Sequence, residues 1–370
     1  MRSVLLAASF PPALGGIETV LYQTNRRLAE PPLVIAPVPA YASDLCVQSV
    51  ATSPAMRLTY RPLWAAHPSL HFLRAFLAPA LRAIAQWRPG VIQAGHVYVA
   101  PLAWLLARRL GLPFVVYAYG QEVWRAGRPM GLSPLDAWLR GAALRGADRV
   151  LVPGSFTAGL LTDWNVPSDR IVEVPYGAEP RPATAPPSGM TLLSVARLVP
   201  RKGIDSVIGA MRRLPPEVEH RIVGSGPDER RLRHLAAATG VGGRVHFLGR
   251  LPDRALAHEY ERCTVFVLPA RRTSDGDLEG YGLVYFEAAA WGRPAIAGRS
   301  GGEIDAVVDG RTGILVDGAS VEDVAGAIAT LLNDRARLEA LGAAARARVE
   351  TSHNWACAAR AVDAALAGLE

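Results

Sequence analysis

The single lysine of the chain lies in a short run that also contains an arginine suited to anion binding. The sequence has 40 basic side chains, yet Lys202 is the only lysine, and Arg197 precedes it in the run Arg-Leu-Val-Pro-Arg-Lys-Gly that ends at Gly203. A compact ammonium group on a flexible stem can contact one phosphate oxygen, whereas a planar guanidinium group binds as a fork. The two cations are therefore suited to neutralising a diphosphate, provided that internal ion pairs do not consume them.

Two carboxylates, Glu279 and Glu287, flank the predicted start of a helix at Leu283. The free N–H groups and the positive dipole end of such a helix attract an anion. A diphosphate bound there would meet backbone donors together with Lys202 and Arg197. The two glutamates would remain to accept hydrogen bonds from sugar hydroxyls.

Four glycine-containing turns follow the ends of predicted strands. Glycine at such a turn allows backbone N–H groups to approach an anion without interference from a Cβ atom. None of the turns has the spacing G-x-G-x-x-G, so the dinucleotide fingerprint is absent. The turns lie at Gly15-Gly16, Gly224-Ser-Gly226, Gly280-Tyr-Gly282 and Gly301-Gly302.

Short apolar runs alternate with helical patterns in two series, which are separated by a proline-rich break at 180–189. This alternation predicts parallel sheets with helices on both faces. We therefore expect an α/β protein with two doubly wound, Rossmann-like domains, at 1–180 and 190–352, facing across a cleft at the carboxyl ends of their strands. The last helix, within 353–370, has no strand after it and is expected to pack back on the first domain. Strands are predicted at 4–8, 33–36, 91–93, 114–117, 149–152 and 171–174, and then at 191–195, 219–223, 244–247, 265–268, 295–297 and 313–316.

The net charge of +7 is concentrated in the amino-terminal half, where residues 1–180 carry +6. This half suits an anionic partner such as a membrane surface, whereas no nucleic-acid-binding motif is present and no nucleic-acid partner is expected. The segment 61–88 mixes aromatic residues with arginines. An ordinary amphipathic helix over 70–87 is favoured there, and a membrane anchor is the alternative.

The three cysteines, Cys46, Cys263 and Cys357, are odd in number and widely spaced, which argues against a disulfide framework or a zinc site. No apolar run approaches the ~20 residues that span a bilayer. The first residues predict a strand and a turn rather than a signal peptide. We therefore expect a cytoplasmic protein, with peripheral binding at the inner membrane face as a further option.

The motifs between about 190 and 317 resemble those of the retaining GT-B glycosyltransferases, the large family that includes sucrose synthase and bacterial mannosyltransferases. The stretch 269–287 is most similar to phosphatidylinositol mannosyltransferases that use GDP-mannose. Before 190 the resemblance is loose apart from Gly15-Gly16. The resemblance between about 190 and 317 is carried by the run ending at Lys202-Gly203, by Gly224-Ser-Gly-Pro227, by Phe247-Leu-Gly-Arg-Leu251, by the Glu-x7-Glu signature from Glu279 to Glu287, and by Gly301-Gly302.

The resemblance implies a retaining transferase that moves a hexose, foremost mannose from GDP-mannose, to an acceptor hydroxyl on the same face of the sugar. The donor diphosphate would take the acceptor's proton, and neither a metal nor another cofactor is expected. Arg197 and Lys202 would neutralise the diphosphate, and Glu279 would hold the transferred sugar. Among the further donor-binding residues implied, Gly16 would close over the phosphate from the first domain. Residues 249–251 would lie near the base, and Glu287 would bind the ribose. The full set implied is Gly16, Gly224, Gly249, Arg250, Leu251, Gly282, Leu283, Val284 and Glu287.

The chain departs from the family after the strand at 114–117. Related mannosyltransferases carry His-Gly-His-Glu there, whereas this chain has Tyr119-Gly-Gln121-Glu122. Tyr119, expected at the reaction centre, can donate a hydrogen bond but cannot take up a proton near neutrality. The departure leaves both the sugar and the acceptor open. Gln121, Glu122 and His96 are the candidates for acceptor binding, and for His96 a packing role is equally open.

Several alternatives remain at this stage. The donor could be a UDP-sugar carrying glucose or N-acetylglucosamine, and the acceptor could be a lipid, a small molecule or a glycan. An epimerase on the same scaffold would convert the donor alone, whereas a phosphorylase would need a Schiff-base lysine that only Lys202 could supply. A protein that binds nucleotide-sugars without catalysis is a further alternative. Asp275-Gly-Asp277 matches a metal-binding motif of another transferase fold, but a solvated turn is favoured.

Overall fold

The computed structural model describes residues 1–11, 15–38, 55–59, 81, 84–126, 134–182, 184, 187 and 189–369. The chain divides into two compact units. The first comprises Met1–Tyr176 together with Trp355–Glu370, and the second comprises Gly177–Asn354. Each unit is built around one parallel sheet, which confirms the predicted α/β class.

The first unit contains a sheet of seven parallel strands in the order β3-β2-β1-β4-β5-β6-β7. The order reverses between β1 and β4, and in open α/β sheets such a reversal creates a crevice at the carboxyl ends of the strands. The strands are β1 (Ser3–Leu6), β2 (Leu33–Val38), β3 (Ala55–Thr59), β4 (Val91–Ala94), β5 (Phe114–Tyr117), β6 (Arg149–Val152) and β7 (Ile171–Glu173). The helices described before the second unit are α1 (Gly16–Asn25), α2 (Ala100–Leu110), α3 (Gln121–Ala126), α4 (Pro134–Arg145) and α5 (Ser155–Thr162).

The second unit contains six parallel strands in the order β10-β9-β8-β11-β12-β13. Its order reverses between β8 and β11, so its crevice is expected beside the ends of those two strands. The strands are β8 (Thr191–Val195), β9 (Glu219–Val223), β10 (Val245–Gly249), β11 (Val265–Leu268), β12 (Ala295–Gly298) and β13 (Gly313–Val316). The helices are α6 (Ile204–Ala210), α7 (Glu229–Ala238), α8 (Asp253–Arg262), α9 (Leu283–Ala290), α10 (Glu303–Ala306), α11 (Val321–Asn333) and α12 (Arg335–Thr351).

The central strands are buried on both faces, which is why they read as continuous apolar runs in the sequence. All four residues of β1, β4, β5, β11 and β12 are buried. In the first unit, Val4 of β1 lies opposite Leu33 of β2 on one side and Ile92 of β4 on the other. Burial of such a side chain contributes about 1.5–3 kcal/mol, so the apolar runs fix where the strands form.

The last helix, α13 (Trp355–Ala367), belongs to the first unit and packs against α1. Its buried face includes Ala358, Val362 and Leu366. The Asp363 carboxylate accepts a hydrogen bond from the backbone N–H of Ala29, at 3.1 Å, just beyond α1. The predicted return of the terminal helix to the first unit is therefore confirmed.

Three elements were absent from the sequence prediction, namely β3, α3 and α10. Of the predicted helix 70–87, only residues 81 and 84–87 are described, and they are helical. The rest of the amphipathic segment, like Cys46, lies outside the described residues. Within the described part of the chain, no helix combines the length and the apolar character needed to cross a membrane.

Buried histidines make the stability of the fold depend on pH. Burial lowers the pKa of His220 to about 3, and its Nε2 atom lies 2.8 Å from the Ser194 hydroxyl. Below pH 6.5 the unfolded chain binds a proton that native His220 does not, so the free energy of unfolding falls by about 1.4 kcal/mol per pH unit until the pH reaches the native pKa.

We expect His220→Gln to reduce this pH dependence, because the amide does not titrate. Urea-unfolding curves at about pH 7 and about pH 5.5 should show a difference in unfolding free energy that is smaller in the variant by about 1 kcal/mol. The same pH dependence in both proteins would contradict the assignment.

Candidate active site

The residues expected at the donor site lie along the carboxyl edge of the second sheet. Because all six strands are parallel, the loops that follow β10, β9, β8, β11 and β12 lie side by side at that edge. The strand ends and these loops contain, in the same order, residues 249–251, 224–226, 197–203, 269–282 and 299–302. The topology therefore gathers the scattered motifs of the sequence on one edge of one unit.

Lys202 and Glu279 form a buried ion pair at the point where the strand order reverses. The Lys202 ammonium donates to Oε2 of Glu279, and each side chain is only 10% exposed. Burial disfavours the ionised form of Glu279, but the positive charges of Lys202 and Arg201 outweigh it and hold the pKa of Glu279 below its ordinary value. Lys202 is thus not a free cation in this structure, so the condition that no internal ion pair should occupy this lysine is not met. The pair presents a fixed ammonium and a fixed carboxylate side by side.

The backbone explains why Lys202 lies there. Residues Pro200–Lys202 form a short 3₁₀ turn that ends at Gly203, whose φ of 66° is left-handed. A Cβ atom on Gly203 would overlap the carbonyl oxygen of Pro269, which follows β11. Only glycine allows the turn after β8 to pack this closely on the end of β11, and that packing brings Lys202 to Glu279.

Gly282 immediately precedes helix α9 in a conformation that other residues rarely adopt. Its φ is 89°, and a Cβ atom there would overlap the ring of Tyr285. The Tyr285 hydroxyl donates to the carbonyl oxygen of Leu268 at 2.6 Å and so fixes the helix against β11. The first-turn N–H groups of Leu283 and Val284 lie four and five positions after Glu279 in the chain and have no intrahelical partner, as at any helix start.

Glu287 lies further along α9 and is held from another helix. Its Oε2 atom accepts a hydrogen bond of 2.6 Å from the hydroxyl of Tyr260 on α8. Burial raises the pKa of Glu287, and the bond from Tyr260 opposes the rise. The two carboxyl groups of the Glu-x7-Glu signature therefore differ in their electrostatic state, because Glu279 has a cationic partner and Glu287 has a neutral one.

The other expected donor residues border the loop after β8. Arg197 is exposed, and among the described residues no ion pair involves it. The N–H of Gly224 donates to the carbonyl of Gly249 at 2.7 Å, and Nε of Arg250 donates to the Ser225 hydroxyl at 3.0 Å. Leu251 follows Arg250 and is half-buried. These contacts join the segments at the ends of β9 and β10.

In the first unit, His96 and Tyr119 lie together at the carboxyl ends of β4 and β5, with ring centroids 6.2 Å apart. Burial lowers the pKa of His96, and its Nδ1 atom accepts from the N–H of Tyr98 at 3.3 Å. The ring is therefore neutral and carries its proton on Nε2. Burial also raises the pKa of Tyr119 well above its ordinary value, so both rings are neutral hydrogen-bond donors.

The remaining candidates of the first unit have different surroundings. Glu122 is buried, and its Oε1 atom accepts from the N–H of Tyr119 at 2.8 Å, so this carboxylate orients the Tyr119 backbone. Gln121 is half-buried at the start of α3. Gly16 is the exposed first residue of α1, where helical N–H groups are free to bind an anion.

Comparisons with known proteins bear on this arrangement. Residues 178–348 match the family model "Glycosyl transferases group 1", and residues 15–177 match "Glycosyl transferase 4-like domain". The chain is 33% identical over 276 residues to a GDP-mannose-dependent alpha-(1-6)-phosphatidylinositol monomannoside mannosyltransferase of Mycolicibacterium smegmatis, covering 69% of this chain and 71% of the relative. The chain belongs to the group 1 glycosyltransferases.

Two further similarities cover nine tenths or more of this glycosyltransferase. It is 30% identical over 380 residues to a D-inositol 3-phosphate glycosyltransferase of Acidothermus cellulolyticus, covering 90% of this chain and 82% of the relative. The structure of Anabaena HepE in complex with UDP superimposes with a TM-score of 0.82 at 19% identity, covering 100% of both chains. The structural similarity confirms the predicted GT-B fold.

The sequence did not point to two residues, Arg201 and Tyr260, that contact the site of the glycosyltransferase. Arg201 adds positive charge beside Glu279, and its Nη1 atom lies 3.6 Å from Oδ2 of Asp277. Tyr260, which holds Glu287, lies in no recognisable motif. Arg201 could have been considered because it adjoins Lys202, whereas Tyr260 gave no signal.

The Asp275-Gly-Asp277 segment forms a turn closed by its own side chains. Oδ1 of Asp275 accepts from the Thr273 hydroxyl and from the N–H of Asp277, at 2.5 and 3.3 Å. Over the described ranges, no three His, Cys, Asp or Glu side chains come together in a way that could hold a metal ion.

Proposed function

We propose that this glycosyltransferase moves a hexose from a nucleotide-diphosphate sugar to an acceptor hydroxyl with retention of the anomeric configuration. Mannose from GDP-mannose is the leading donor, because the M. smegmatis relative is described as GDP-mannose-dependent and the Glu279–Glu287 segment resembles that group. The second unit would bind the donor and the first unit the acceptor.

The observation that carries this proposal is the buried Lys202–Glu279 pair at the reversal of strand order. A buried ion pair is usually no more stable than apolar side chains of similar size, so stability alone does not account for it. An ammonium group can serve a diphosphate oxygen and a carboxylate can serve a sugar hydroxyl. Their adjacency suits a ligand in which these two groups are covalently joined.

The chemistry follows from the charges at this edge. As the bond between the sugar's anomeric carbon and the diphosphate oxygen breaks, negative charge grows on the diphosphate and positive charge on the sugar. Lys202, Arg197 and the first-turn N–H groups of α9 would stabilise the departing anion, and such preorganised electrostatics are usually the largest catalytic contribution. The acceptor oxygen would attack the face that the diphosphate leaves, and a diphosphate oxygen would take its proton. Glu279 would hold a sugar hydroxyl beside this reaction.

The first unit supports an acceptor role through neutral donors rather than through a base. His96 and Tyr119 can each donate a hydrogen bond but are poor proton acceptors near neutrality, given the directions of their pKa shifts. An acceptor hydroxyl bound beside them would therefore be oriented and not deprotonated by them. This agrees with a mechanism in which the leaving diphosphate takes the proton.

A nucleotide screen tests the donor assignment. We expect GDP to raise the melting temperature more than UDP or ADP, since a ligand at about a hundred times its Kd stabilises the folded state by about 2.7 kcal/mol. A larger shift with UDP would transfer the assignment to a UDP-sugar. No shift with any nucleoside diphosphate would contradict the proposal.

The stereochemistry is tested on the product. With GDP-mannose and an acceptor that supports turnover, NMR of the first-formed glycoside should show the anomeric configuration of the donor. An inverted product would exclude the same-face mechanism, and conversion of the donor to a sugar isomer without an acceptor would identify an epimerase.

A further inference from the structure

Glu303 is fully buried at the start of helix α10, immediately after the Gly301-Gly302 turn. Its Oε1 atom accepts hydrogen bonds from the N–H groups of Ser300 and Gly301, at 2.9 and 3.0 Å, and from the Ser300 hydroxyl at 3.3 Å. One carboxyl oxygen thus closes the turn that follows β12. Neither the sequence motifs nor the proposed donor contacts assign a role to this side chain.

The turn that Glu303 closes is packed against the backbone of Glu279. The N–H of Gly302 donates to the carbonyl oxygen of Glu279 at 2.9 Å. A Cβ atom on Gly301 would lie 2.5 Å from the same carbonyl oxygen, and one on Gly302 would overlap the carbonyl of Gly280. Because the two segments are in contact without spare room, a shift of the turn must move the main chain of Glu279.

The second carboxyl oxygen of Glu303 shows that this arrangement is costly. Oε2 is buried and has no hydrogen-bond partner among the described residues. Burial raises the pKa of Glu303, the hydrogen bonds of the turn oppose the rise, and the negative charge of Glu279 adds to it. A neutral carboxyl group can occupy this position without repelling Glu279, whose own charge is balanced by Lys202.

We propose that Glu303 is a positioning residue of the donor site, whose carboxyl group fixes the Ser300–Gly302 turn against Glu279 and thereby sets where the Glu279 carboxylate meets the donor sugar. The inference rests on the proposed function, in which Glu279 holds that sugar. Among the residues that the structure describes, Glu303 forms no hydrogen bond with the Glu279 carboxylate or with Lys202, so it acts through the backbone.

Glu303→Gln and Glu303→Ala separate this role from mere filling of space. The glutamine oxygen can accept the same hydrogen bonds from the turn and its amide group takes the place of Oε2, so we expect kcat within about threefold of the native value. Alanine leaves the turn unsupported, and a displacement of about 1 Å at a reacting centre can lower turnover about a hundredfold. The rate is measured as nucleoside diphosphate released from the donor selected by the nucleotide screen.

The binding of GDP without sugar distinguishes positioning from general damage. We expect the Kd for GDP, or for the nucleoside diphosphate that the screen selects, to change by less than about threefold in Glu303→Ala, because the altered contact concerns the sugar. Ile304→Ala, in the same short helix at a side chain that is 39% exposed, is the matched control and should leave both quantities unchanged. Equal kcat in Glu303→Ala and Glu303→Gln would overturn the proposal, and so would an equal loss of GDP binding and turnover.

Two further comparisons keep the outcome decisive. If Glu303→Ala does not yield folded protein, Glu303→Asp replaces it, because the shorter side chain cannot reach both N–H groups, and full kcat in that variant would overturn the role. If Glu279→Gln lowers kcat while Glu303→Ala does not, only the present inference fails. If Glu279→Gln itself leaves kcat unchanged, the proposed function of the site fails with it.

Discussion

Replacement of Lys202 by methionine is expected to lower kcat at least about a hundredfold, because one preorganised group that stabilises the leaving anion typically contributes a factor of about 10²–10³. The same change leaves Glu279 buried without its cation, so the melting temperature should also fall. Initial rates of nucleoside diphosphate release and thermal denaturation measure the two effects. Near-native turnover in Lys202→Met would refute the role of the lysine.

A double variant separates the two effects. Lys202→Met combined with Glu279→Gln removes both charges, so it should recover much of the lost stability while remaining inactive. Lys202→Arg should also remain far below native turnover, because a planar guanidinium group does not fit where the ammonium contacts one carboxylate oxygen. Full activity in Lys202→Arg would show that any cation suffices.

Glu279→Gln is expected to lower kcat by about a hundredfold while GDP binds as well as before or more tightly. The carboxylate now offsets part of the charge of Lys202, and its removal leaves the full charge of the ammonium to the diphosphate. The affinity for GDP should therefore be kept or increased while kcat falls. Isothermal titration with GDP and steady-state rates on the same preparations provide the two values.

Glu287→Gln is the matched comparison, since it alters the other carboxyl group of the same signature. Glu287 is bound by Tyr260 and is expected at the ribose, so this variant should weaken nucleotide binding and raise KM more than it lowers kcat. Should both glutamine variants show the same pattern of kcat and KM, the division of roles between the two carboxylates would be wrong.

Most strands could be predicted because burial on both sheet faces leaves an unmistakable apolar run. Strand β3 could not, since its sequence Ala-Met-Arg-Leu-Thr has no such run and its pairing with β2 is a tertiary contact. Helices α3 and α10 have six and four residues, which is too short for a helical period to show.

The site was predictable to the extent that its motifs lie at strand ends. Parallel strands end at one edge, so the loops containing Arg197, Gly224, Gly249 and Gly282 had to come together. The direct pairing of Lys202 with Glu279 was not predictable, because the residues are 77 positions apart and their contact depends on how closely the turn at Gly203 packs on β11. Glu303 was missed for a similar reason, since only the packed turn shows what its carboxyl group does.

The path of the chain has a consequence for biosynthesis. Helix α13 covers α1 of the first unit, although the whole of Gly177–Asn354 is translated between them. On the ribosome the second unit can fold as soon as it has emerged, whereas the half that is made first must wait for the final segment to leave the exit tunnel. A released chain that is truncated after Asn354 should therefore be protease-sensitive in its first unit and resistant in its second.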